Sequence, residues 1–224
     1  MIDWHAVKAI IAKDWAVERR TWQTLVETIV FGIIAIVTFN FALSIDLGAA
    51  RSVALGLFWV IVWLSGTLTL NRSFLAETEH GALSALKIAP IQPSSIFFGK
   101  WISLVSSLFL SELILVPLFV LFLGQPLFQP GILLTIFFAT IGYVAAGVFV
   151  ASMAVQTRAS YILLPILLLP LTLPLVLSAS FVSAEFLTPN PDWNTIQLWG
   201  TLIIIYDLLM AITGLFFYNY LLEE

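Results

Sequence analysis

Six apolar runs, each near the length of a bilayer crossing, leave this chain lipid as the solvent for most of its surface. They occupy residues 22–43, 53–70, 96–123, 131–156, 161–182 and 196–219. An α-helix needs about 20 apolar residues to cross the hydrocarbon core. The runs are apolar all round, whereas the strands of a membrane barrel alternate polar and apolar with a period of two. Hydrophobic residues make up 61% of the 224 residues, against about 45–50% in a soluble domain. The chain therefore reads as an all-α membrane protein with six transmembrane helices in a single domain, 1–224.

A polar island, NRSFLAETEHGALSALKIAPIQPSSIFFGK, fills residues 71–100 between the second and third runs. With only 10% charged residues in the chain, such a cluster belongs at a membrane face. Residues 74–86 read as a short helix, with Phe74, Ala82, Leu83 and Leu86 beside Glu77 and Glu79. A short acidic helix closing a membrane hairpin is a handle for a soluble partner. Ahead of the first run, Trp4, Val7, Ile11 and Trp15 recur at helical spacing near Lys8 and Lys13. That stripe suits an amphipathic helix in the headgroup layer, or else a polar extension of the first run.

Basic residues mark the cytoplasmic side. Lys8, Lys13, Arg19, Arg20, Arg72, Lys87, Lys100 and Arg158 fall on one side, eight of nine, and only Arg51 on the other. Both termini are then expected in the cytoplasm. Residues 1–21 mix acids with bases and do not resemble a cleaved signal peptide, so the first span is expected to stay in the mature protein.

Several chemistries find no support. A net charge of -4 offers no footprint for nucleic acid. With no cysteine there are no disulfides and no thiolate metal sites. The phosphate loop GxxxxGK[ST] is missing: Gly99 and Lys100 are preceded by Ser94 where its first glycine belongs. His5 and His80 lie in polar segments without metal-ligand spacing, and no nucleophile–base pair stands out. An enzyme is not expected.

Three acids do lie within apolar runs: Glu27, Glu112 and Asp207. A charged carboxylate at mid-bilayer costs at least about 2.5–3.5 kcal/mol, so such groups face protein or water. Glu27 is expected to snorkel or to pair with Arg19 or Arg20. Glu112 and Asp207 either hydrogen-bond across helices or line a polar seam used by substrate. Pro117 predicts a kink in the third span near Val116. Pro165, Pro170 and Pro174 free backbone carbonyls in the fifth span, which is either a bent packing helix or part of a pathway. Ala139, Gly142 and Ala146 form a small-residue face on the fourth. Trp59 and Trp63 lie deep and need partners for their indole N–H groups.

Together, ARSVALGLFWV entering the second span, NRSF leaving it, FLAETEHGALSALKIAPIQPSSIFFGK, LLLPLTLPL, YDLL and the final LLEE resemble haem exporter protein B, the CcmB-type permease of cytochrome c maturation. The family's aromatic–acidic–Gly–Leu pattern is matched by Phe74, Glu77, Gly81, Leu83 and Leu86, with Ser84 where an acid often stands. The resemblance implies the fold of an ABC-2-type exporter permease. Residues 1–21 would be an interfacial elbow helix, and residues 71–95 a cytoplasmic coupling segment seated in an ABC ATPase. It further implies an ATP-hydrolysing partner, a haem-handling membrane protein with a small companion protein, and, less directly, a haem chaperone. ATP would be bound on the partner, haem would be the possible cargo, and two copies would face each other in the bacterial inner membrane. The alternatives are an ABC-2 permease for a lipid, polysaccharide or drug, and a non-transporting scaffold that couples the ATPase to the haem-handling protein.

Overall fold

A computed structural model describes residues 3–43, 47–79, 92–154 and 160–223. Among these, seven helices follow one another: α1 (Trp4–Thr21), α2 (Gln23–Leu43), α3 (Leu47–Glu79), α4 (Pro93–Leu123), α5 (Pro130–Ala154), α6 (Ser160–Phe186) and α7 (Trp193–Glu223). Helices α2 to α7 are each long and apolar enough to cross a membrane, and each contains most of one of the six expected spans. The protein is thus all-helical and multi-pass.

Helix α5 is the centre of the bundle. It packs most extensively on α6 and α7, and also meets α4 and α3. Small residues permit this: Ala139, Gly142, Ala145, Ala146, Gly147 and Ala151 are all buried. Water does not drive helices together inside lipid, so close backbone approach and polar contacts carry the association. Side chains seat against glycines across many of the helix pairs. Tyr143 of α5 lies on Gly66 of α3, and Leu70 of α3 on Gly147 of α5. Leu115 of α4 lies on Gly32 of α2, Phe186 of α6 on Gly131 of α5, and Phe97 of α4 on Gly214 of α7.

Helix α1 starts at Asp3, whose side chain accepts from the amides of His5 and Ala6. It ends at Trp22, a left-handed residue (φ 51°) whose N–H returns to the Glu18 carbonyl. That joint turns the chain from α1 into α2. The buried face of α1 is Ala6, Val7 and Ile10, while Trp4 is 58% exposed, so the expected stripe through Trp4 and Ile11 is rotated. The reason is α4. Its first turns offer Gly99 as a seat for Ile10, Ser95 as acceptor for the Asp3 amide (2.8 Å) and Ser106 for the Trp15 indole (2.9 Å).

Helix α3 corrects a second expectation. The described part of the short helix expected over 74–86 belongs to α3, which continues unbroken to Glu79. Phe74 is buried at 2% exposure and anchors that extension to the bundle. Gly81, Leu83 and Leu86 lie outside the described residues, as do the side chains of Glu77 and Glu79.

Candidate functional site

One turn at the middle of α5 touches three other helices, and each of its four residues makes a specific contact. The Thr140 hydroxyl donates to Glu112 Oε1 of α4 at 2.7 Å. The Ile141 carbonyl accepts from the Trp101 indole of α4 at 2.9 Å. Gly142 lies against the Asp207 carboxyl of α7, so closely that a Cβ there would collide with it. The Tyr143 hydroxyl lies 2.8 Å from Thr67 Oγ1 and donates to the Trp63 carbonyl of α3 at 3.0 Å. Residues 140 and 142 are about 200° apart around a helix of 3.6 residues per turn, so the two acids flank α5 on opposite sides.

Both deep indoles have the partners that their burial demands. Trp59 Nε1 donates to Ser183 (3.1 Å) and Trp63 Nε1 to Thr172 (2.8 Å), tying α3 to α6. Tyr206 donates to the Leu171 carbonyl at 3.2 Å and ties α7 to the same helix. Three carboxyl oxygens differ: Glu112 Oε2 and both oxygens of Asp207 are buried without a hydrogen-bond partner. Beside Glu112 lies a cavity of about 10 Å³, lined by Trp59, Trp63, Thr140, Tyr143 and Leu175 among others. That is room for a single water at most, and far too little for a tetrapyrrole.

At the end of the bundle where α4 begins, two ion pairs join helices. Lys100, only 2% exposed, donates to both oxygens of Asp14 at 3.1 and 2.9 Å, binding α1 to α4. Arg72 of α3 pairs with Glu27 of α2 at 2.9 Å, with Gln23 donating to the same carboxylate. The expected partners of Glu27 are Arg19 and Arg20, and it finds the neighbouring helix instead.

The sequence candidates thus separate into groups. Glu112 and Asp207 converge on the central turn. Pro170 and Pro174 are exposed on the outward face of α6, and Pro165 is half-buried, whereas Leu168, Thr172, Leu175 and Ala179 face inward. Of the residues expected to dock a partner, Phe74, Glu77 and Glu79 belong to the last turns of α3, and Gly81, Leu83 and Leu86 lie outside the described residues. Sequence reasoning misses Thr67, Tyr143, Lys100 and Asp14. Tyr143 alone carries a signal, as a hydroxyl within a run of small residues. Among the described residues no group of three or more potential metal-ligating side chains occurs.

Six apolar helices long enough to span a membrane, with polar contacts gathered on one turn of α5, define a multi-pass membrane protein. The chain matches the CcmB protein family over residues 5–214 and belongs to it. It is accordingly a membrane component of the haem export system of cytochrome c maturation, a permease component within an ABC-type exporter. No curated protein matches the chain.

Proposed function

We propose that this chain is the non-catalytic permease of an ATP-driven haem exporter in the bacterial inner membrane, with both termini cytoplasmic. Residues 1–224 form one domain, in which residues 71–95 dock the ABC ATPase through Phe74, Glu77, Glu79, Gly81, Leu83 and Leu86. ATP binds on that partner. A haem-handling membrane protein and its small companion stand beside two facing copies of this chain, and a haem chaperone receives the haem. The observation that carries this reading is the unbroken course of α3 from the bundle to Glu79. A 33-residue helix is about 50 Å long, so a push delivered at Glu79 reaches mid-membrane along one continuous helix.

A second reading keeps the ATPase but makes the chain a scaffold that transmits its motion to the haem-handling protein. The filling of the central turn by protein partners, Thr140 with Glu112 and Tyr143 with Thr67, favours it.

The test is co-purification of the ATPase with the wild type and with a Glu77→Arg/Gly81→Pro double variant. Loss of the ATPase from a variant that still inserts in the membrane is expected. Undiminished binding would remove segment 71–95 as the docking element.

A further inference from the structure

Among the described residues, Tyr143 is the one through which α3 grips the central turn by hydrogen bonds. Its ring rests on Gly66, one turn of α3 brackets its hydroxyl with Thr67 Oγ1 and the Trp63 carbonyl, and Leu70 locks onto Gly147 one turn further on. Thr67 also donates to the Trp63 carbonyl at 2.9 Å. The two hydroxyls and one carbonyl form a closed triangle with fewer protons than acceptor sites. The hydrogen bonds can therefore exchange partners as α3 shifts, without any group being left bare. On the other side of Tyr143 stand the contacts to both intramembrane acids: Thr140 with Glu112, and Gly142 with Asp207. These acids hold the unpartnered carboxyl oxygens of the bundle's described core, so small movements of the turn change what they can reach.

We infer that Tyr143 is a positioning residue: its hydroxyl couples axial movement of α3 to the 140–143 turn of α5, which repositions Glu112 on α4 and Asp207 on α7. The inference rests on the reading of this chain as an ATPase-driven permease, because the movement of α3 begins at the docking segment. Interhelical packing is bistable more readily than it is continuously deformable, so a hydroxyl triangle where α3 meets α5 suits a two-position joint. Tyr143 touches no cargo in this scheme. It sets where α5 stands when α3 moves.

The experiment measures holocytochrome c formed per ATP hydrolysed by the assembled complex, with covalently bound haem as the readout. The variants are Tyr143→Phe, which keeps the ring on Gly66, Thr67→Val, which keeps the shape, and Thr67→Ser, which restores the hydroxyl. Losing a hydroxyl whose hydrogen bond is stronger in one of the two positions than in the other shifts their balance by about fivefold. The expected result is a fall of that size in the yield per ATP for Tyr143→Phe and Thr67→Val, with Thr67→Ser at the wild-type value and ATPase co-purification undiminished. An unchanged yield per ATP in Tyr143→Phe overturns the inference, whatever happens to thermal stability. Should Tyr143→Phe fail to accumulate, an unchanged yield in Thr67→Val, or equal losses in Thr67→Val and Thr67→Ser, overturns it. Failure of the wild type to bind the ATPase would sink the proposed function instead, and is seen separately.

Discussion

Lys100 and Glu27 make opposite uses of an ion pair. Lys100 is almost fully enclosed between α4 and α1, and its Asp14 partner has 14% side-chain exposure. Asp14 also pairs with Lys13 at 3.0 Å, so losing Lys100 removes two charge-assisted hydrogen bonds and the packing of a buried stem but does not strand the carboxylate. Lys100→Ala is expected to cost about 2 kcal/mol in detergent-solubilised unfolding, and Asp14→Leu/Lys100→Met should recover most of the loss. The Arg72–Glu27 pair is 38% and 47% exposed. Glu27→Gln should change stability by less than about 1 kcal/mol. Neither pairing is legible in the sequence, for one reason. The bases nearest Glu27 along the chain are Arg19 and Arg20, but the base that reaches it stands 45 residues later, and periodicity does not tell which turns will lie side by side. A third acid acts at the opposite end. Asp192 caps α7, accepting from the Thr195 hydroxyl (2.7 Å) and the Asn194 amide (3.1 Å), and the Thr195 bond chiefly holds its carboxyl below the ordinary 3.8. Because the folded value is the lower one, this contribution is complete above the ordinary value and vanishes as pH falls through the folded one. Amide exchange in the first turn of α7 should therefore accelerate below about pH 4 in the wild type, and be pH-independent over that range in Asp192→Asn after correction for intrinsic exchange.

At the scale of elements, glycines separate packing from mere tolerance. A Cβ at Gly147 would collide with the side chain of Leu70, which is fully buried and has nowhere to swing. Gly56 and Gly200 have nothing within 4 Å. Gly147→Ala is expected to destabilise by about 1–3 kcal/mol through overpacking of the α3–α5 contact. Gly56→Ala and Gly200→Ala should be neutral or gain up to about 1 kcal/mol from helix propensity. Unfolding midpoints of the three variants in one detergent decide this, and equal effects would mean that the glycine seats do not hold the bundle. The helices themselves are legible in the sequence, since a run of 20 apolar residues has few other outcomes. So is the small face of α5, because small side chains have a plain use in lipid. What fills each seat is not legible, because the contacts of Tyr143, Asp207 and Leu70 join helices distant in the chain. Local composition also misleads at α3. The change from apolar to charged residues at Asn71 reads as a boundary, yet helix geometry carries straight on to Glu79 with Phe74 holding it to the bundle.

For the molecule as a whole, the contacts divide the bundle into two ends of opposite character. At one end Asp3 meets Ser95, Lys100 meets Asp14, Arg72 meets Glu27 and Phe97 meets Gly214. At the other, Asn40 donates to the Phe122 carbonyl, Phe186 seats on Gly131, and Glu185 accepts from the Asp192 amide at 3.1 Å. Lys8, Lys13, Arg19, Arg20, Arg72 and Lys100 all belong to the first end, and the side chains described at the second include acids but no base. A basic excess on one side of a multi-pass protein faces the cytoplasm. The first end is thus predicted to be cytoplasmic, which also puts the end of α3 where an ATPase can reach it. The complete lack of native cysteine makes the test direct. Lys8→Cys and Thr188→Cys each introduce a lone thiol at an exposed position, one at either end. A membrane-impermeant maleimide added to intact spheroplasts should label the cysteine at 188 and leave that at 8 untouched until the membrane is opened. The reverse pattern would place segment 71–95 outside the cell, beyond the reach of any ATP-hydrolysing partner, and both the docking role of Glu77 and the coupling role of Tyr143 would fall with it.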